Sequence, residues 1–91
     1  MPDRVMTIPF SELGQYSEIQ LSKLDERVHT QIARLDDMIS IAKQTFEQET
    51  DPLYQDYLSD RLFRLLADRD TLVDQVSDIV DVLEARNSER Q

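Results

Sequence analysis

Ninety-one residues, 40% hydrophobic and 32% charged, bound one small domain and exclude a chain disordered by composition. No apolar run approaches the roughly 18 residues that a membrane span needs. A net charge of −9 argues against direct nucleic-acid binding and against anionic membranes, both of which are held largely by basic side chains on phosphates.

Residues 1–16 read as an extended N-terminal arm with one possible helical turn. Val5, Met6, Ile8 and Phe10 follow no helical period, and Pro9 argues against a helix. The arm is expected to lay these apolar groups over the end of a helical bundle. Its alternative use is as a strand added to a partner's sheet. Ser11-Glu12-Leu13-Gly14 suits a short turn of helix that Gly14 ends. The first ten residues lack the apolar region of a signal peptide, which gives a cytoplasmic location as the expectation.

A long helix is predicted over 17–49. Ser17-Glu18-Ile19-Gln20 has the form of a capping box, and Tyr16 and Leu21 stand where a hydrophobic staple would join. Leu21, Leu24, Val28, Ile32, Leu35, Ile39, Ala42 and Phe46 then recur at steps of three or four. In heptad terms Leu21, Val28, Leu35 and Ala42 are a positions. Leu24, Gln31, Met38 and Thr45 are d, and Ile32, Ile39 and Phe46 are e.

The turn is predicted at 50–52. Asp51 suits a helix N-cap, and Pro52 suits the first helical position while disfavouring helix for the residue before it. A second helix follows over 52–87, with Leu62, Arg69, Val76 and Leu83 at a, Leu58, Leu65, Leu72 and Ile79 at d, and Leu66, Val73 and Val80 at e. The tail 88–91 is expected to fray. Two long helices joined by so short a link run antiparallel. The fold class is therefore all-α: a long antiparallel helical hairpin, expected to pair into a four-helix bundle.

Pairing is expected because the e residues overflow a two-helix seam. Ile32, Ile39, Phe46, Leu66, Val73 and Val80 would remain half exposed, and burying six such side chains is worth at most about 9–18 kcal/mol. A second copy is the simplest cover, giving a homodimer; a helix of another protein, or the arm folded back, would also serve. One polar layer interrupts the seam. With the turn centred near residue 51, Arg69 falls near Ile32 and Gln31. There it either fixes register by reaching Gln31 or an acidic neighbour, or lays its methylenes along the seam and extends its head to water.

The chemistry that a catalyst needs is thin. The chain has no cysteine, one histidine and one glycine, so phosphate-cradling loops and cysteine-liganded metal are not expected. Glu26-x-x-His29 spells a di-iron motif, but Val28 at a turns both side chains outward. No serine or threonine stands one turn from His29 on a buried wall. No enzyme, cofactor, metal or small-molecule substrate is expected.

The acid is uneven, with nine acidic and four basic residues over 51–86 against seven and four over 17–49. Asp70, Asp74, Asp78 and Asp81 form an acidic face on the second helix. The functional expectation is a self-associating adaptor, assembly factor or small chaperone with an apolar groove and acidic outer face. The alternative is an acidic inhibitor that mimics nucleic acid and fills a basic groove on its target.

Overall fold

The computed structural model describes residues 7–89, and three helices account for most of them: α1 (Phe10–Leu13), α2 (Glu18–Gln48) and α3 (Pro52–Glu89). No strand occurs among the described residues, and α2 and α3 form the antiparallel hairpin. The molecule is a rod of 59 × 23 × 16 Å. Its long axis matches about 57 Å for a 38-residue helix at 1.5 Å per residue. Among the described residues, no helix is long and apolar enough to cross a membrane.

The helix ends follow from local chemistry. Ser17 caps α2 with both arms of the capping box: its hydroxyl accepts the Gln20 N–H at 3.1 Å, and the Gln20 carboxamide accepts the Ser17 N–H at 2.9 Å. At the other end the chain turns on three residues. The Glu49 carboxylate accepts the Thr50 and Asp51 N–H groups, each at 3.1 Å. The Asp51 carboxylate accepts the Leu53 N–H at 3.0 Å, and the Gln55 carboxamide donates back to the Glu49 carbonyl at 2.6 Å. The Glu49 carbonyl at the end of α2, the turn amides and the Leu53 amide in the first turn of α3 are thereby drawn into one network.

Two details differ from expectation. The second helix continues through Ser88 and Glu89 rather than fraying at residue 88; residues 90 and 91 lie outside the described part. The arm is folded more tightly than an extended cover. Phe10 belongs to α1 and is exposed, so it shields nothing, while Val5 and Met6 lie outside the described residues. Pro9 stands at the α1 N-cap, where its missing N–H costs nothing, and its carbonyl accepts from Glu12 and Leu13.

The core runs along the hairpin as two clusters. Leu13, Leu21, Ile79 and Val82 fill the open end, ringed by Ile8, Tyr16, Leu24 and Leu83. Ile39, Ala42 and Leu65 fill the half nearer the turn, flanked by Leu35 and Leu62. The two helices do not bury matching stripes. α2 turns its a positions and Ile39 inward and leaves Gln31 and Met38 exposed. α3 buries its d positions together with Gln75 and Val82, on the side away from Leu66, Val73 and Val80.

Candidate functional site

The hairpin has two long flanks, and the chain treats them differently. One is covered at the open end by the arm. Leu13 is fully buried there against Ile79 and Val82, and Ile8 packs beside them. The Gln75 side chain, only 3% exposed, accepts the Ile8 N–H at 2.6 Å and donates to the Ile8 carbonyl at 3.1 Å. A buried carboxamide with both functions satisfied is the arrangement that makes a polar core residue tolerable. From the end of α3, Arg86 donates to the carbonyls of Gly14 and Tyr16 and holds the link between α1 and α2.

The opposite flank has no such cover. Leu66, Val73 and Val80 stand in a row along α3 at 43%, 41% and 42% exposure, with Phe63 beside Leu66 at 75%. The pair of Arg69 and Asp36, with Nε to Oδ1 at 2.6 Å, marks this flank. Arg69 sits one turn from Leu66 and Val73, and Asp36 sits one turn from Ile32. Both charges are partly open to water, so the pair contributes at most about 1 kcal/mol.

Of the six side chains expected to overflow the seam, Leu66, Val73 and Val80 are exposed, and Ile32 and Phe46 are half-buried. Ile39 is a correction: it is 6% exposed and belongs to the core between the helices. Because α2 is rotated toward its e positions, the open apolar surface here is carried by α3. The hydrophobic term shrinks accordingly. Covering the remaining two-fifths of three side chains is worth about 2–4 kcal/mol per copy, and Phe63 adds about 1–2 kcal/mol.

Of the two partners expected for Arg69, Gln31 or an acidic neighbour, it reaches the second: Asp36, one helical turn nearer the hairpin loop than Ile32, while Gln31 is not contacted. Gln31 faces outward among Glu26, Arg27, Thr30 and Arg34. The acidic face sits where the heptad places it: Asp70, Asp74 and Asp81 are exposed and Asp78 is half-buried. None of the four forms an ion pair among the described residues, whereas Asp60 pairs with Arg64 at 3.5 Å.

A second exposed apolar feature was missed from sequence. Near the turn, Met38, Ile41, Thr45, Tyr54, Tyr57 and Arg61 line a groove of about 320 Å³ on the flank that the arm leaves open farther along. Tyr54 and Tyr57 stack at 5.8 Å between ring centroids and stay largely exposed rather than packing the bundle end. Ile41 and Met38, both off the predicted a/e stripe, were the available signal.

His29 lies over Asp25 at 3.4 Å in an i, i+4 contact, exposed, with Glu26 pointing away to water. Among the described residues no group of three His, Asp or Glu side chains gathers to hold a metal ion. No protein-family model, curated protein or solved structure matches this chain.

Proposed function

We propose that this chain is a non-enzymatic protein–protein interaction module of the cytoplasm, a helical hairpin that self-associates through its open flank and serves as an adaptor, assembly factor or small chaperone. The observation that carries this reading is the asymmetry of the two flanks. The chain spends its own arm, with a buried glutamine and an arginine to hold it, on one side. On the other it leaves Leu66, Val73 and Val80 exposed along α3, with the Arg69–Asp36 pair between Leu66 and Val73. An aligned apolar row of this kind, rather than scattered single residues, is the mark of a surface that another polypeptide covers.

The pairing energy is modest. Two copies together bring about 6–12 kcal/mol of apolar burial, from which the loss of free motion on association must be subtracted. A micromolar dissociation constant already requires about 8 kcal/mol net. The expected species is a reversible dimer, forming between micromolar and millimolar protein. Light scattering over a dilution series tests it: the mass should climb from 10.7 kDa toward twice that value. The rise should persist in about 0.5 M salt, because apolar contact is not screened. A mass that stays monomeric throughout removes self-association from the reading, and one that collapses in salt moves the contact to the acidic face.

A further inference from the structure

The arm occupies only part of its flank. On α3 it is seated on Gln75, Val82 and Arg86, and the same helical row runs on at steps of three and four through Thr71, Asp68, Arg64 and Arg61 to Tyr57 and Tyr54. On α2 the facing row is Arg27, Gln31, Arg34, Met38, Ile41 and Thr45. Met38, Ile41 and Thr45 meet Tyr54, Tyr57 and Arg61 across the groove near the turn, so the two rows are walls of one trough between the helices. From Arg27 to Thr45 its uncovered stretch is about 27 Å long at 1.5 Å per residue.

The floor of the trough is apolar yet open to water: Ile41 is 64% and Tyr57 57% exposed, above buried Ala42 and Leu58. Its walls carry arginine. Arg27, Arg34 and Arg61 are exposed and form no ion pair among the described residues, in a chain whose nineteen acids outnumber its ten bases. The acids bordering the trough are Glu26, Asp37, Asp60 and Asp68, and only Asp60 closes on an arginine, Arg64. Three guanidinium groups are therefore left for a partner's carboxylates, which each can hold by two parallel hydrogen bonds. The covered end shows the shape that fits: the helical turn α1 lies there between α2 and α3, with Leu13 buried against both.

We infer that this uncovered trough is the docking site of an acidic amphipathic helix from a partner protein, about 18 residues long. The helix continues the line of α1 toward the turn. Its apolar stripe rests on Met38, Ile41, Tyr54 and Tyr57, and carboxylates along the borders of that stripe meet Arg27, Arg34 and Arg61. Charge complementarity selects this occupant over nucleic acid. The chain's net charge of −9 repels a long polyanion, whereas a short helix brings a few carboxylates to the three free arginines and apolar side chains to the floor between them. The inference rests on the adaptor role proposed above and not on self-association, which uses the opposite flank.

The probe is a fluorescent synthetic helix of about 18 residues with leucine along one stripe, glutamate on both borders and alanine elsewhere; its neutral twin carries glutamine for glutamate. Anisotropy titrations with the full chain should show saturable binding of the glutamate helix, roughly fivefold or more tighter than its twin. Arg34→Glu and Arg61→Glu in one chain should weaken it roughly tenfold or more, and Tyr57→Ala roughly fivefold, while Val73→Glu on the opposite flank leaves it unchanged. Helical circular dichroism checks that each variant folds. The proposal is overturned if the glutamate helix does not bind, if the glutamine twin binds as tightly, or if the two arginine substitutions have no effect. A short single-stranded DNA that binds more tightly than the glutamate helix overturns it in favour of nucleic acid. A light-scattering mass that rises with concentration for wild type but not for the Arg34→Glu, Arg61→Glu chain gives the trough to the acidic face of a second copy instead. Self-association through α3 is read separately, from Val73→Glu in light scattering, so that either surface can fail while the other stands.

Discussion

One carboxamide, that of Gln75, pairs with both backbone groups of Ile8, across 67 positions of sequence. In effect a side chain of α3 presents the donor and acceptor that a neighbouring β-strand would offer. The arm's peptide group is thus satisfied without a sheet, and Ile8 is placed over the open end of the core.

Replacing Gln75 should therefore loosen the arm before it loosens the hairpin. Gln75→Ala removes both bonds and leaves a cavity, with an expected loss of about 2–3 kcal/mol in urea unfolding. Gln75→Glu, ionised at neutral pH, would set a buried carboxylate oxygen against the Ile8 carbonyl and should cost at least as much as Gln75→Ala. Hydrogen exchange at the Ile8 amide gives the direct reading: its protection should drop in both variants, far more than that of α2 and α3 amides near the turn.

Leu13 is the arm's deepest side chain, fully buried against Ile79 and Val82. Leu13→Ala should cost about 2–4 kcal/mol. Because Leu13 and Gln75 hold the same segment, the double variant should lose less than the two single losses combined, with a coupling of about 1 kcal/mol in a double-mutant cycle. Strict additivity would show that the arm does not dock as a unit.

For Arg69, the contact with Asp36 is half exposed, and its expected contribution is small. Asp36→Asn should cost less than about 1 kcal/mol, and the difference from wild type should shrink in 0.5 M salt. Arg69→Leu should leave stability equal or higher, by filling the seam with apolar volume. A loss above about 2 kcal/mol, or a change of oligomer mass, would instead give Arg69 a register-setting role.

At the turn, Asp51→Ala removes the acceptor of the Leu53 N–H and should lower stability by about 1 kcal/mol. Asp51→Ser, which keeps a capping oxygen, should restore most of it. Thermal melts of the three chains decide this.

Much of the hairpin was legible because several local rules agree at its ends. Ser17 with Gln20 and Asp51 with Pro52 each combine cap chemistry with the onset of a three-four repeat, and both helices begin where those signals stand. The rotation of each helix about its own axis was not legible. Heptad letters give Ile39 and Leu66 the same status, yet one is buried and the other is not. At the open end Leu13 and Ile8 cover the Gln75 and Val82 side of α3, the side away from Leu66, Val73 and Val80. Gln75 carries no apolar signal, and only its two bonds to Ile8 explain its burial. An acidic partner for Arg69 was one of the two expected, but its position, Asp36 rather than a residue beside Ile32, was not legible, because register depends on where the loop centres, which propensity alone leaves loose by a few residues.

The bonded network of Glu49, Asp51 and Gln55 has a kinetic consequence. It ties residues no more than six apart, whereas the bonds of Ile8 and Arg86 bridge some seventy. Closing a short span costs the unfolded chain little entropy, and every later pair is brought near by the one before it. Zippering from the loop toward the far tip is therefore the expected order, with the segment around Ile8 docking last.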